Sequence, residues 1–422
     1  MPWLDTAALF VLIVGHVAWL FLILTAAGMF FLLAARLLLP PRPPLMLAAL
    51  PPPDELPRVL VQIPAYNEEK VVERVLRSAA NLRWPRDRFR VQLLDSSTDR
   101  TAEIAARVIA ELRARGTDAV SVRCEVWEGY KAGALARGHR LGDEPFVVVL
   151  DADFEVPEDW LETGMRAMLA DPGLAYVQFR MEIRNAHETW VTRMEQLIRD
   201  LHYVVEQEGR QRLGDNPIFG GSGGILRRTA IDDAGGWSSA SLTEDIDLSL
   251  RMLTKGWRGT YLAHPPARAE APATVAALRV QYTRWSKGPV QLRREFLAAI
   301  RRAGWHPART AMLLLLFVSS AALPCMAVAA GSPVLYFVMT GHAPPHLAAE
   351  LSVTAVVVLC LVAGVTLTPW VILKRGSLAR YAGTVAAVPL FFFLLGVTSA
   401  VGIVGAAFGR REAFVRTPKT GS

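Results

Sequence analysis

The sequence is poor in cysteine and in charge, and its charged residues are unevenly spread. Only 3 of its 422 residues are cysteine, and no two of them have the C-x-x-C spacing of a metal or redox site. Charged residues make up 20% of the chain and hydrophobic residues 52%. Residues 7–35 contain no Asp, Glu, Lys or Arg. A cysteine-based metal site is therefore excluded, and the chain is too apolar for an ordinary soluble enzyme.

The uncharged run at 7–35 predicts a membrane-spanning helix, because it exceeds the roughly 20 residues that cross a bilayer. No basic residue precedes the run, whereas Arg36 and Arg42 follow it. A cleaved signal peptide has the opposite charge order. By the positive-inside rule, the N-terminus lies outside and residue 40 onward lies in the cytoplasm.

Three more apolar blocks occupy the C-terminal third, at about 310–331, 350–373 and 381–408. The connection between the first two blocks, Gly331 to Glu350, has no Lys or Arg and is predicted to be external. Basic residues flank the third block on both sides, which predicts a re-entrant or interfacial segment. A further crossing that violates the charge rule is the alternative. The pattern predicts a multi-pass protein of the plasma (inner) membrane.

The composition divides the chain into five parts, and the largest has an α/β pattern. The parts are a transmembrane helix at 1–40, a proline-rich linker at 41–57, a cytoplasmic domain with a final interfacial helix at 58–305, a membrane region at 306–408 and a basic tail at 409–422. In the cytoplasmic domain, short apolar runs alternate with helical patterns, which predicts a mostly parallel sheet flanked by helices. Ligands of such sheets bind beyond the carboxyl ends of the strands.

Charged residues follow several of the predicted strands. Asp151 and Asp153 end the most strand-like run, and a divalent metal that also binds phosphates would offset their repulsion. A solvated loop is the alternative. Asp95 ends another apolar run, where Asp99 is typical of a helix cap. Lys131 stands at a predicted helix start, which suits a diphosphate, although an ordinary surface lysine has the same pattern.

Three further features are ambiguous when each is taken alone. Four glycines surround Ser222, and they allow either close approach to a ligand or a flexible turn. Glu244 and Asp245 open an amphipathic helix, where the helix dipole alone favours acidic residues. Arg284 and Trp285 precede the apolar region, which fits either a binding site or a membrane-interface belt.

In their order along the chain, these motifs resemble those of membrane-bound family 2 glycosyltransferases, in the cellulose-synthase-like group that includes mannan and glucomannan synthases. The motifs are "VQIPAYNE", "LDSSTD", "GYKAGAL", "DADF", "VEQE", "FGGSGGILRR", "AGGWSSASLTEDIDLSLRMLTKGW" and "QYTRWSKGP". The resemblance implies an α/β GT-A domain beside transmembrane helices. It also implies inverting transfer of a hexose from a UDP- or GDP-linked sugar to a growing β-linked polysaccharide of the mannan or glucan type.

The resemblance implies a role for each candidate residue. Asp245 would be the general base, and Asp153 would bind Mg²⁺ or Mn²⁺. Thr417 and Lys419 lie in "FVRTPK", which is similar to the F-x-V-T-x-K gating loop of processive synthases. The implied nucleotide-sugar contacts are Pro64, Tyr66, Glu68, Asp95, Lys131, Asp151, Arg284, Thr417 and Lys419, and the implied acceptor contacts are Ser222, Glu244, Gln281 and Trp285.

Two departures from that family keep other functions open. Ser96 stands where the plant relatives commonly carry a second Asp, and the chain stops soon after the gating-like segment. We therefore expect a homo-oligomer, an export partner, or short products on a glycan or glycolipid acceptor. Transfer of one sugar to a membrane lipid and a non-catalytic membrane scaffold are the alternatives. The net charge of +7 fits an anionic inner leaflet or phosphate-bearing substrates, and no nucleic-acid recognition motif accompanies it.

Overall fold

The structure is a computed structural model. It describes residues 2–40, 48–124, 129–214, 217–239, 243–285, 297–298, 301, 307–345, 347–360, 367–374, 377, 383–388, 390–391, 394–397, 399, 417, 419 and 421.

In the described part of the chain, seven strands form one mixed sheet in the order β3-β2-β1-β4-β6-β5-β7. Strand β6 runs antiparallel to both of its neighbours, and the other neighbouring pairs are parallel. The strands are β1 (Val59–Ala65), β2 (Phe89–Asp95), β3 (Asp118–Arg123), β4 (Phe146–Val149), β5 (Leu174–Ile183), β6 (Gly224–Arg227) and β7 (Arg258–Ala269). The predicted, mostly parallel α/β sheet is confirmed, with β6 as an exception that the alternation of runs did not indicate.

Amphipathic helices cover the sheet. In α2, for example, the buried residues Val72, Val75, Leu76, Ala79 and Ala80 recur at helical spacing and form one apolar face. The helices are α1 (Pro2–Leu38), α2 (Val72–Ala80), α3 (Thr101–Ala114), α4 (Tyr130–Arg140), α5 (Trp160–Ala170), α6 (Trp190–Asp200), α7 (Glu208–Leu213), α8 (Arg228–Asp233), α9 (Glu244–Thr254) and α10 (275–285). A π-helix, Leu201–Gln207, joins α6 to α7.

The central strands are buried on both faces, as expected for a sheet covered by helices. All residues of β1 are buried, including Gln62. Its side-chain amide donates to Gln92 Oε1 on β2 at 3.0 Å, so the two buried amides partly satisfy each other. Ala65 of β1 is paired with Asp95 of β2, which brings the ends of these strands to the same edge of the sheet.

The apolar segments form long helices. Among the described residues, Leu4–Leu38 is the one helix long and apolar enough to cross a membrane, and Pro324–Thr340 is a shorter apolar helix. Helix α11 (Pro307–Thr340) continues past Gly331, so the prediction that a connection begins there was wrong. The helix instead ends at Thr340 and is followed by Gly341, whose φ of 74° suits a glycine terminator.

The remaining C-terminal helices test the membrane predictions only in part. Helices α12 (Leu347–Cys360) and α13 (Leu367–Leu373) occupy the second predicted block. Residues 401–416 lie outside the described residues, as do several others in the third block. The re-entrant reading of 381–408 and the multi-pass arrangement therefore stay predictions.

The N-terminal helix is attached to the sheet domain through α7. Arg36 Nε lies 3.0 Å from Glu208 Oε2, and Arg212 Nη1 donates to the Leu39 carbonyl at 2.7 Å. A Cβ atom on Gly209 would lie 2.6 Å from the Leu32 carbonyl oxygen, so a glycine is needed at this close contact. The apolar helix is therefore packed directly against the domain that carries the candidate site.

Candidate active site

Most of the predicted site residues line one cleft at the carboxyl edge of the sheet. The cleft is open to solvent and has a cavity volume of about 240 Å³. Its walls come from the ends of β1 and β4, the starts of α4 and α9, helix α10 and the C-terminal tail. The predicted residues in its lining are Pro64, Tyr66, Glu68, Lys131, Asp151, Asp153, Glu244, Asp245, Gln281, Arg284, Trp285, Thr417 and Lys419.

Two predicted residues, Asp95 and Ser222, lie behind the lining of this cleft. Asp95 is 1% exposed, and its carboxylate accepts hydrogen bonds from Arg123 Nη1 at 2.8 Å and from the Ser97 N–H at 2.9 Å. Ser222 Oγ accepts a hydrogen bond from the Asp151 N–H at 2.7 Å. In this structure both residues fix the backbone around the cleft, and their direct contacts with substrate stay predictions.

Lys131 joins the acidic residues on two sides of the cleft. Its Nζ donates to Asp151 Oδ1 at 2.5 Å and to the Gly221 carbonyl at 2.9 Å, and lies 3.8 Å from Glu244 Oε1. Burial acts to lower the pKa of Lys131, but Asp151, Glu244 and Asp245 together raise it above its ordinary value. The ammonium group is therefore held in its charged form at the start of α4.

The Asp245 carboxylate lies against the glycine loop that follows α7. A Cβ atom on Gly221 would stand 2.8 Å from Asp245 Oδ2, and the φ of Gly221 is +81°. Both the close approach and the backbone conformation require glycine here, and an approach of this loop to a ligand stays a prediction. Burial and the neighbouring Glu244 raise the pKa of Asp245 to about 7, although Lys131 acts to lower it.

Asp153 is held by the C-terminal tail. Its Oδ2 accepts hydrogen bonds from Lys419 Nζ at 2.7 Å and from the Glu270 N–H at 2.9 Å. Lys419 also donates to the Glu270 carbonyl, and the Gly421 N–H lies 3.1 Å from Glu270 Oε1. Burial acts to raise the pKa of Asp153, but Lys419 and the Glu270 N–H hold it below its ordinary value.

Several groups in the cleft are placed to meet a polar ligand. Gln281 Oε1 and Thr417 Oγ1 are buried and have no hydrogen-bond partner among the described atoms. A buried polar atom without a partner is costly, so bound substrate would compensate for it. Burial lowers the pKa of Arg284, while Glu244, Asp151 and Asp245 oppose this shift. Trp285 completes this wall, with its ring centroid 5.1 Å from that of Tyr282.

Sequence reasoning missed the residues that join the loop after β1 to the loop after β2 by hydrogen bonds. Asn67, at a φ of 57°, accepts a hydrogen bond from the Thr98 N–H at 2.8 Å and donates its own N–H to Ser97 Oγ at 2.9 Å. The Glu68 N–H donates to Thr101 Oγ1 at 2.7 Å, and helix α2 begins after this loop, at Val72. Asp99 Oδ1 accepts from the Thr101 N–H at 3.0 Å, but the N-cap residue of α3 is Arg100, so the cap prediction for Asp99 was wrong by one residue.

The motif "VEQE" has a supporting role that the sequence did not reveal. Burial acts to raise the pKa of Glu206, but His202 and Arg210 lower it to about 2. The next residue, Gln207, makes a pair of hydrogen bonds with the backbone of Ile218, at 3.0 and 3.1 Å. The π-helix thereby holds the segment that enters the glycine loop beside Asp245. The signal that could have revealed this role is the presence of polar residues inside a helical segment.

Comparisons with known proteins identify the family of the chain. Residues 146–395 match the family model described as Glycosyl transferase family group 2. The probable glucomannan 4-beta-mannosyltransferase 6 of Oryza sativa subsp. japonica is 40% identical over 259 residues, which cover 59% of this chain and 45% of that protein. Glucomannan 4-beta-mannosyltransferase 2 of Arabidopsis thaliana is 37% identical over 252 residues, covering 58% of this chain and 47% of that protein. The chain thus spans about half the length of these relatives.

A solved structure supports the fold. The mannosyltransferase PcManGT from Pyrobaculum calidifontis, in complex with GDP-Man and Mn²⁺, has a TM-score of 0.59 and 20% sequence identity to this chain. The match covers 94% of this chain and 98% of the other. At this identity the likeness bears on the fold alone, and it confirms the predicted GT-A class.

Proposed function

Because the chain belongs to Glycosyl transferase family group 2, we propose that it transfers a hexosyl group from a nucleotide-diphosphate sugar to a hydroxyl of a β-linked glycan, with inversion at the anomeric carbon. The observation that carries this proposal is the half-buried Asp245 carboxylate, which lines the same cleft as Lys131 and Arg284. The names of the plant relatives support mannose as the sugar and a mannan-like polysaccharide as the product.

The proposed donor site is the charged side of the cleft. Lys131 stands in the first turn of α4, near Gly129 and Ala132 in the lining, and the start of a helix favours phosphate oxygens. Arg284 brings a second cation to the same cleft. Tyr66 and Glu68 line the side formed by the loop after β1, which supports a place for the nucleoside there.

The carboxylates in the cleft fit a divalent cation of the magnesium type. The described residues contain no group of three or more His, Cys, Asp or Glu side chains that could hold a metal ion. Mg²⁺ is commonly held by one or two carboxylates together with substrate phosphates, so Asp153, with Asp151 nearby, is a sufficient protein contribution. Bound Mg²⁺ or Mn²⁺ would neutralise charge on the leaving diphosphate. Lys419 Nζ already contacts Asp153 Oδ2, so a bound cation and this ammonium group would both have to be accommodated beside Asp153.

Asp245 is the proposed general base. Its pKa of about 7 makes it a stronger base than an ordinary aspartate while leaving part of it ionised near neutral pH. It would accept the proton of the acceptor hydroxyl as that oxygen bonds to the anomeric carbon. The bond from the anomeric carbon to the diphosphate oxygen breaks in the same step, and the nucleoside diphosphate leaves. Lys131 and Arg284 would stabilise the charge of the departing diphosphate.

The proposed acceptor site is the aromatic side of the cleft. An indole face buries apolar surface of a pyranose ring without stranding many polar groups, which supports Trp285 as the platform for the acceptor sugar. Gln281, one helical turn earlier on α10, has an unpartnered buried Oε1 that would accept a hydrogen bond from a sugar hydroxyl. Glu244 lines the cleft beside the base.

We extend the proposal to where the transfer takes place. The domain between residues 58 and 305 would be the catalytic unit on the cytoplasmic side of the plasma membrane, with α1 and the C-terminal region 306–408 as membrane segments. The packing of α1 on α7, through Arg36 and Glu208, supports a catalytic cleft held close to the bilayer. The tail at 409–422 would act as the gating segment, since Thr417 and Lys419 line the cleft.

A donor panel tests the proposed function. The purified full-length chain in detergent is incubated with GDP-mannose, UDP-glucose and related sugars, with and without Mn²⁺ or Mg²⁺, and nucleoside diphosphate release is measured. We expect release from one donor, dependent on the metal. Product length on β-1,4-mannohexaose is scored in parallel, and a product consisting of one sugar on a lipid would contradict the polysaccharide assignment.

A further inference from the structure

Two side chains that do not line the cleft contact the indole of Trp285. The guanidinium carbon of Arg199, on α6, lies 4.7 Å from the Trp285 ring centroid, over the ring face. The ring of Tyr282 meets the indole edge-on, at an interplanar angle of 61°. Trp285 itself lines the cleft, and Arg199 and Tyr282 therefore hold it from outside.

A buried carboxylate links these two side chains. Glu195, one turn before Arg199 on α6, is 1% exposed, and the Tyr282 hydroxyl donates to its Oε1 at 2.8 Å. Arg199 Nη2 lies 3.6 Å from Glu195 Oε2, close enough for an ion pair. Burial raises the pKa of Glu195, although Arg199 and Tyr282 act to lower it. Glu195 thus fixes both groups that touch the indole.

The guanidinium of Arg199 contacts both the Glu195 carboxylate and the Trp285 indole face. Its Nε is buried and has no hydrogen-bond partner among the described atoms. The contact with the indole face is the interaction that the observed orientation satisfies.

We propose that Arg199, anchored by Glu195, is a positioning residue for the acceptor sugar. It fixes the plane of the Trp285 indole, so that the ring is already oriented when a pyranose stacks on it. Fixing a binding group in advance lowers the entropy lost when the ligand binds. The inference rests on the proposed function, because that function assigns the acceptor sugar to Trp285.

Kinetics on three variants of the full-length chain in detergent test this inference. The probes are GDP-mannose with Mn²⁺ as donor and β-1,4-mannohexaose as acceptor. For Arg199→Gln we expect the KM for mannohexaose to rise about tenfold, the size expected when a cation–π contact and the ordering it provides are lost. The kcat, and the KM for GDP-mannose measured by hydrolysis without acceptor, should stay within about twofold of wild type.

Two variants separate positioning from general damage to the fold. Arg199→Lys keeps a cation over the ring and should recover most of the acceptor affinity. Arg193→Gln removes the same charge from an exposed site on the same helix and should behave as wild type. An unchanged KM for mannohexaose in Arg199→Gln, or an equal loss for donor and acceptor, would overturn the proposal.

A spectroscopic readout keeps this inference distinct from the proposed function. The chain is labelled with 5-fluorotryptophan, and the ¹⁹F resonance of Trp285 is assigned by its loss in Trp285→Phe. Arg199→Gln should shift or broaden that resonance, and Arg193→Gln should leave it in place. If the wild type transfers no sugar from any donor, the proposed function fails, and the resonance still decides whether Arg199 fixes the indole. A resonance that is the same in Arg199→Gln and wild type contradicts the positioning role.

Discussion

On one side of the cleft, which we call the donor side, Lys131, Asp151, Asp153 and Lys419 form ion pairs of 2.5 to 2.7 Å. On the other side, which we call the acceptor side, Gln281 and Trp285 of α10 line the cleft, and the Tyr282 ring packs against Trp285. Against the effect of burial, Asp151 helps to raise the pKa of Lys131 and Lys419 lowers that of Asp153, so a change on the donor side should alter metal and pH dependence. Acceptor binding on the other side depends on the shape of the site and the orientation of its side chains, so a change there should alter only the KM for the acceptor.

The largest expected effect lies between the two sides, at the base. Asp245→Asn keeps the size of the side chain but removes its ability to take a proton, and we expect kcat to fall about a thousandfold, within the range for loss of a general base. Asp247→Asn, on the same helix but paired with Arg251, is the matched control and should retain kcat. Steady-state release of nucleoside diphosphate with mannohexaose measures both. Equal loss in the two variants would remove Asp245 from the mechanism.

The second largest effect is expected on the donor side, at the proposed metal ligand. Asp153→Ala should remove metal-dependent turnover, with a loss of about a hundredfold or more at saturating Mn²⁺, because the proposed ligand is gone. Metal activation curves and Mn²⁺ binding followed by electron paramagnetic resonance check this result. A variant that keeps the wild-type activation curve would show that the cation is held elsewhere.

A substitution in the glycine loop tests the position of the base without changing any charge. Gly221→Ala would place a methyl group 2.8 Å from Asp245 Oδ2, so we expect kcat to fall about thirtyfold as the carboxylate is displaced. Gly236→Ala has a similar φ of +78° but no atom within 4 Å of the added carbon. It should lose stability on heating and keep its kcat. Similar kcat values in both variants would mean that the contact with Asp245 has no role in positioning it.

The acceptor side should respond in a different kinetic constant. Trp285→Ala removes the stacking platform, and we expect about a tenfold lower kcat/KM for mannohexaose, with hydrolysis of donor in the absence of acceptor unchanged. If the variant lost only its membrane association and transferred sugar normally, the acceptor assignment would be wrong.

The smallest expected effect is the pH dependence of the base. Asp245 must be ionised to accept a proton, and its pKa of about 7 lies above the ordinary value, so kcat/KM should decline as the pH falls through 7. Between pH 7.5 and 6.5 the ionised fraction changes about threefold, which sets the size of the decline. The residual activity of Asp245→Asn should lack this acid limb. An identical acid limb in the variant would assign the titration to another group.

The sequence was sufficient for the parts of the site that lie at strand ends. The run before Asp151 is wholly apolar and the run before Asp95 is mostly apolar, so strands β2 and β4 and the residues after them could be predicted from local pattern. The motif "QYTRWSKGP" allowed two readings, and the structure places Trp285 in the cleft lining. The resemblance to a known family supplied roles that no spacing could provide.

What the sequence did not provide depends on contacts between distant segments. Glu270 meets Lys419 through its backbone, and Asn67 locks onto the loop at Thr98. Neither pairing has a local pattern, because each arises only when the sheet brings the segments together. The contact between Gly221 and Asp245 likewise requires the antiparallel strand β6, which the alternation of strands and helices did not indicate.

The central claim is that this cleft forms a β-glycosidic bond by inversion. The most direct test incubates the purified full-length chain with radiolabelled GDP-mannose, Mn²⁺ and β-1,4-mannohexaose, and digests the product with linkage-specific mannosidases. We predict that label enters an extended oligosaccharide and is released by β-mannosidase but not by α-mannosidase. Release of the label by α-mannosidase would contradict inversion, and the absence of any labelled oligosaccharide would contradict mannose transfer to this acceptor.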